Sequence, residues 1–138
     1  MFMTISGKTK RAAFYCRMNH RDRDYTQFMD AVLNTLERRY GKQEWDIKIF
    51  FEVSSGNDPD RKKFALLKSE IKSGNIDVVV SVAPSMIARD WKQFMEFMGI
   101  CEKAYVDVMC TKDAEDAQQM YQRIMQFMDE YFEEMVQR

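Results

Sequence analysis

Arg17, Arg61 and Arg89 each fall just past a predicted strand or at the start of a predicted helix, the edge of an α/β domain where loops gather. A guanidinium is always charged and presents its donors as a planar fork that fits phosphate oxygens. Three of them at one edge point to a phosphodiester or another dense anion. Beside the first the chain reads Arg17-Met18-Asn19. Where phosphoryl transfer wants a hydroxyl nucleophile, the chain offers a carboxamide, which cannot attack phosphorus. His20 follows, a lone histidine in a polar loop, and reads as solvent-facing. Each arginine taken singly reads equally well as a solvated or ion-paired residue, so it is their common placement that points to a site.

The elements that must hold these residues alternate. Residues 11–16 form a short apolar run consistent with a buried strand, and residues 45–52 a second. Residues 76–83 are β-branched and apolar on both faces, as a central parallel strand requires, and residues 104–110 give a last strand. Between them, Tyr25, Phe28, Met29, Val32, Leu33, Leu36 and Tyr40 keep helical spacing, with Gly41 as the stop. A second helix is capped by Asp58, starts at Pro59, buries Phe64, Leu67 and Ile71, and ends at Gly74. A third spans roughly 88–102, after Pro84 breaks the strand. Strands alternating with helices predict an α/β fold of three layers, a mostly parallel sheet of four to five strands with helices on both faces. Trp45 and Trp91 are read as core or interface, and Lys62-Lys63 as a solvated helix face.

From about residue 112 the pattern changes. Ala117, Tyr121, Ile124, Met128, Tyr131 and Met135 recur at steps of four and three, a heptad seam along a helix of roughly 40 Å. The division expected is an α/β domain over residues 1–111 and a dimerisation helix over 112–138. The distal turns project past the domain and must bury their aromatics against a partner helix, so a homodimer or higher oligomer is expected. A helix lying wholly on its own sheet is the alternative.

Composition narrows the rest. A length of 138 residues suits one domain with a real core, and a net charge of −1 excludes a bulk polycation that coats nucleic acid. Charge is uneven, basic near the start and acidic from Asp113 onward. Three cysteines, at 16, 101 and 110, lack metal-ligand spacing and make a poor disulfide framework, which points to a reducing cytoplasm with no metal and no cofactor. No apolar run approaches a membrane span. The twelve methionines read mainly as gap-filling core residues.

Several blocks together resemble the serine recombinases, the resolvase and invertase family. Tyr15-Cys16-Arg17-Met18-Asn19 is similar to the family's Tyr-x-Arg-Val-Ser motif, which carries the nucleophilic serine. Ser55-Gly56 and Asp60-Arg61 resemble its Ser-Gly segment and Asp-Arg pair. Residues 76–80 resemble its central strand, and residues 85–90 its Ser/Asp-Arg-Leu-x-Arg-Asp/Asn block. The resemblance implies a resolvase-like fold with a long dimerisation helix. It also implies DNA cleavage, strand exchange and resealing through a transient phosphoserine bond. Arg17, Arg61 and Arg89 then match arginines that grip the scissile phosphate, with Glu52, Ser55 and Ser85 in support. Two positions depart: Asn19 stands at the nucleophile and Met86 at a further active-site arginine. A catalytically defective family member is therefore expected. DNA is the implied partner, weak or lost here, because Asp129, Glu130, Glu133 and Glu134 would repel phosphate and the sequence stops where the family carries a separate DNA reader. A flavodoxin-like or receiver-like module that binds a nucleotide, phosphate or protein is the alternative, although no glycine-rich phosphate loop follows the first strand and a receiver's clustered acids are missing.

Overall fold

In the computed structural model, residues 10–18, 24–53, 61–112 and 117–137 are described. The order is β1 (Lys10–Met18), a 3-10 turn (Tyr25–Phe28) running into α1 (Met29–Tyr40), then β2 (Trp45–Val53) and α2 (Lys62–Lys72). There follow β3 (Val78–Ser81), the single turn α3 (Pro84–Ile87), α4 (Trp91–Lys103), β4 (Asp107–Cys110) and α5 (Ala117–Gln137). The strands form one parallel sheet in the order β2-β1-β3-β4. This is the α/β architecture with a mostly parallel sheet that the alternation of elements predicts.

The period of two along a strand divides the core. Ala12, Phe14, Cys16 and Met18 of β1 pack with Val32 and Leu36 of α1 on one face. Ala13 and Tyr15 pack on the other with Phe64, Leu67 and Ile71 of α2 and Phe94, Phe97 and Met98 of α4. β3 is buried on both faces, as a central parallel strand must be. Gly41 and Gly74 close α1 and α2 at φ of 80° and 77°, the left-handed region where a side chain is disfavoured.

The boundaries differ from the sequence reading in several places: the strand read over 76–83 is Val78–Ser81, and that read over 104–110 is Asp107–Cys110. The helix predicted from 88 begins at Trp91, because Asp90 is its cap and accepts from the Lys92 N–H at 2.9 Å. Pro84, expected only to break a strand, opens α3 at its first position, where a missing N–H costs nothing. Residues 111 and 112 are not helical: their N–H groups donate to Ser81 O and Val82 O, extending the strand pairing past β4. The cap Asp58 and Pro59 lie outside the described residues.

α5 packs by its first turns. Ala117 and Tyr121 are buried with the α4 side of the core, Ile124 and Met128 are half-buried, and Tyr131 and Met135 are exposed. The Tyr121 hydroxyl donates to Glu102 Oε1 of α4 at 3.2 Å. No helix among the described residues is long and apolar enough to cross a membrane.

The amino-terminal edge of the sheet is fastened by Asp77, whose Oδ2 accepts from Arg11 N at 2.9 Å and Nε at 3.2 Å, and whose Oδ1 accepts from Nη2 at 3.1 Å. Burial pushes the Asp77 carboxyl up, but the Arg11 hydrogen bonds and charge outweigh it and hold it below the ordinary aspartate value. A depressed pKa means stability that is present above the unfolded pKa and lost as pH falls through the folded one. The side chains are 41% and 39% exposed, so solvent screening limits the pair. Asp77→Asn is expected to cost about 1 kcal/mol at neutral pH, with the difference from wild type shrinking below about pH 4. Urea denaturation at pH 7 and pH 3.5 measures both, and a penalty equal at the two pH values would refute the assignment.

Candidate functional site

The three arginines lie at the carboxyl ends of the strands, the side of an open parallel sheet where ligands bind. Arg17, the penultimate residue of β1, is 6% exposed and donates from Nη2 to the Ser85 carbonyl of α3 at 3.1 Å. Burial lowers its pKa, and the charges of Arg61 and Arg89 act in the same direction. All three guanidinium groups therefore share one electrostatic neighbourhood. Arg89 is exposed in the bend between α3 and α4.

Arg61, expected as a phosphate ligand, is 5% exposed and engages neighbours inside the protein. Nη2 donates to the Tyr15 hydroxyl at 2.6 Å and to the Ile87 carbonyl at 2.5 Å, and Nη1 to Gln93 Oε1 at 3.3 Å. Nε lies 3.7 Å from Glu52 Oε2, with side-chain exposures of 4% and 9%. The guanidinium also stands 3.8 Å over the Phe64 ring, a cation–π contact in a desolvated setting.

Glu52 closes the network. Its Oε2 accepts a short hydrogen bond from the Tyr15 hydroxyl, and its Oε1 accepts from the Lys63 N–H at 3.1 Å. The second contact places a carboxylate at the amino end of α2, whose own cap position makes no side-chain hydrogen bond. Burial and the Glu52 contact raise the Tyr15 pKa well above its ordinary value, against the opposing pull of Arg61. Tyr15 thus stays a proton donor to Glu52.

The other expected residues are placed as follows. Ser85 is exposed on α3 and contributes its carbonyl to Arg17. Met86 is half-buried and packs toward the α1 side of the core. Asn19 and Ser55 lie outside the described residues, as do His20, Gly56 and Asp60. Trp91, read as core or interface, is 55% exposed, one residue beyond the cap of α4. Among the described residues no group of three or more His, Cys, Asp or Glu side chains is arranged to hold a metal ion.

Sequence reasoning missed Tyr15 and Gln93 as partners of Arg61. A signal existed for the tyrosine: alternation along β1 puts residues 13, 15 and 17 on one face, and the parallel register sets Arg17 opposite Glu52. Gln93 had none, since its contact depends on how α4 lies over α2.

Comparison with known proteins gives one answer. Residues 12–138 match the family model described as resolvase, N terminal domain. In structure the chain is similar to the N-terminal catalytic domain of TP901-1 integrase, at 16% identity, 91% of this chain, 98% of that chain and a TM-score of 0.66. It is also similar to the C-terminal catalytic domain of ISC1926 TnpA, an IS607-like serine recombinase, at 18% identity, 88% and 82% coverage and a TM-score of 0.59. A resolvase family site-specific recombinase from Streptococcus pneumoniae matches at 18% identity, 93% and 91% coverage and a TM-score of 0.54. No curated protein matches.

The network separates a buried arginine from an exposed one. Tyr15→Phe removes the hydroxyl between Arg61 and Glu52 without opening a cavity and is expected to cost about 1–3 kcal/mol. Arg61→Ala leaves Glu52 without its counter-charge and should cost about 3–5 kcal/mol. Arg89→Ala should stay within about 0.5 kcal/mol of wild type. Chemical denaturation of the three variants checks the order, and equal losses at 61 and 89 would contradict it.

Proposed function

The chain belongs to the resolvase N-terminal domain family of serine recombinases, and from that premise we propose that it keeps a phosphate-facing arginine pocket but does not cleave DNA. Family membership decides against the flavodoxin-like or receiver-like alternative. The observation that carries the proposal is the residue directly after β1, Asn19, at the position of the family's nucleophilic serine. A carboxamide has no ionisable hydroxyl, and its nitrogen lone pair is delocalised, so the phosphoserine bond cannot form there.

The surroundings support a second loss. Met86 occupies the position of a further family arginine, and an apolar side chain turned toward the core supplies no charge to a pentacovalent phosphate. The hydroxyls of Tyr15 and Ser81 are fully buried and engaged, with the Ser81 hydroxyl donating to Tyr15 O at 2.9 Å. Neither replaces the serine. Arg17 and Arg89 are the direct phosphate contacts in this reading, Arg61 and Glu52 hold the frame, and DNA is a weak partner through its backbone. Incubation with supercoiled DNA followed by denaturing capture of protein–DNA adducts is expected to yield none. A nicked product linked to protein, whether at Ser85 or elsewhere, would overturn the proposal.

Dimerisation through α5 is the second part. Phe127, Tyr131, Phe132 and Met135 are 69%, 54%, 59% and 55% exposed on one side of the helix, an apolar face on the order of 500 Å². A monomer rarely leaves such a face in water. The opposite side carries Gln122, Gln126, Asp129, Glu130 and Glu133. The full chain is expected to scatter light as a dimer or larger species, and Tyr131→Glu with Met135→Glu as a monomer. A wild-type monomer at tens of micromolar would refute the interface.

A further inference from the structure

Both buried arginines of the site donate to main-chain carbonyls of the same one-turn helix. Arg17 Nη2 reaches Ser85 O at 3.1 Å, and Arg61 Nη2 reaches Ile87 O at 2.5 Å. A helix this short leaves its last carbonyls without helical partners. Within α3 itself the turn is held by Met86 N–H to Ala83 O at 3.0 Å and Ala88 N–H to Pro84 O at 3.3 Å.

The two attachments are unequal. Ile87 is fully buried, and its carbonyl is fixed by an arginine whose other donors are committed to Tyr15 and Gln93. Ser85 is exposed, and its carbonyl accepts from Arg17 at the carboxyl end of β1. One end of the turn is anchored and the other is peripheral. A peptide carbonyl is the neutral counterpart of a phosphate oxygen. It takes the same guanidinium donor, but without an opposite charge on the acceptor, so the bond is weaker than one to a phosphate oxyanion.

We propose that α3 is a strap whose Ser85 carbonyl stands in for the anion at Arg17, and that a phosphate oxyanion entering between Arg17 and Arg89 takes that donor and releases the Ser85 end. The Ile87 end stays in place on Arg61, so the turn swings without unpacking the core. The exchange proceeds because a charged acceptor replaces a neutral one, and the displaced carbonyl faces water. Ligand entry and α3 order then oppose each other, which makes the apparent affinity depend on the fraction of molecules with the strap released. The proposal rests on the pocket reading above, and its test separates the two.

The ligand chemistry is a phosphate oxyanion, so one arm uses a thymidine dinucleotide and the other inorganic phosphate, which tells a diester from a free phosphate. Amide hydrogen exchange is followed at Met86 and Ala88 in the full chain. With whichever ligand binds tighter, exchange at these two amides should accelerate while the flanking strands are unchanged or slower. Pro84→Gly removes the residue that preorganises the turn and leaves every arginine in place. It should bind about three- to tenfold tighter than wild type, by release of the strap before binding. Arg89→Ala should weaken binding and leave exchange in the ligand-free chain unchanged. Absence of binding by wild type and by Pro84→Gly overturns the pocket and the strap with it. Binding with unchanged or slower exchange at Met86 and Ala88 overturns the strap and leaves the pocket standing.

Discussion

A guanidinium buried to the degree of Arg61 must be compensated, because a charge removed from water without partners costs several kcal/mol. Its compensation comes from five places: the Tyr15 hydroxyl on β1, Glu52 on β2, Phe64 on α2, the Ile87 carbonyl on α3 and Gln93 on α4. No two of these are neighbours in one element. Satisfying one charge therefore fixes the separation of two strands, the start of α2, the end of α3 and the first turns of α4. The carboxylate is used twice over, since the oxygen not given to Tyr15 takes the Lys63 N–H at the open end of α2. The edge of the sheet that carries the site is built around this requirement.

The sheet supplies the other half of the arrangement. β1 sits between β2 and β3, and its carboxyl end, buried throughout, stays paired with β2 as far as Met18. Alternation sends Arg17 to the α2–α4 face, with Tyr15 one step inward. Arg17 can then reach α3, and its neighbour Tyr15 can reach the Arg61 network. A shift of register by one residue would exchange these side chains for Cys16 and Met18 and leave Glu52 and Arg61 facing apolar groups. The apolar packing of Phe14, Cys16 and Met18 against Val32 and Leu36 on the opposite face is what excludes that shift. Hydrophobic pattern and charge satisfaction thus select the same register.

Much of the architecture was legible because it rests on local periodicity. The uninterrupted Val78, Val79 and Val80 declared a central strand, and the glycines at 41 and 74 marked two helix ends. The site was legible as an address: strand ends and helix starts told where Arg17, Arg61 and Arg89 would gather. Their division of labour was not. Whether an arginine faces a ligand or a neighbouring carbonyl depends on contacts such as Arg61 to Gln93, 32 residues apart, which no spacing encodes. α3 was hidden for a related reason. A turn of four residues has too few positions to show a period, and Pro84 reads as a break whether it ends a strand or opens a helix. The start of α5 was misplaced because Thr111 and Lys112 continue the sheet's hydrogen bonding, a preference of β3 rather than of their own side chains.

The division of labour changes what each arginine signifies. Arg61 serves this fold even if no anion approaches, since deleting it leaves the buried Glu52 carboxylate without its counter-charge. Arg17 is intermediate: it secures Ser85, yet it does so against the repulsion of two other guanidinium groups. Arg89 is the informative one. It is exposed, forms no ion pair among the described residues, and adds positive charge where two buried cations already stand. Such a placement adds repulsion to the chain alone, and a bound anion would relieve it. An asparagine at position 19 leaves that balance untouched, because a serine's chemistry and the arginines' electrostatics depend on different atoms. The charge pattern of a pocket is in this way separable from its reaction, and the residue that reports on anion binding is the one the fold does not need.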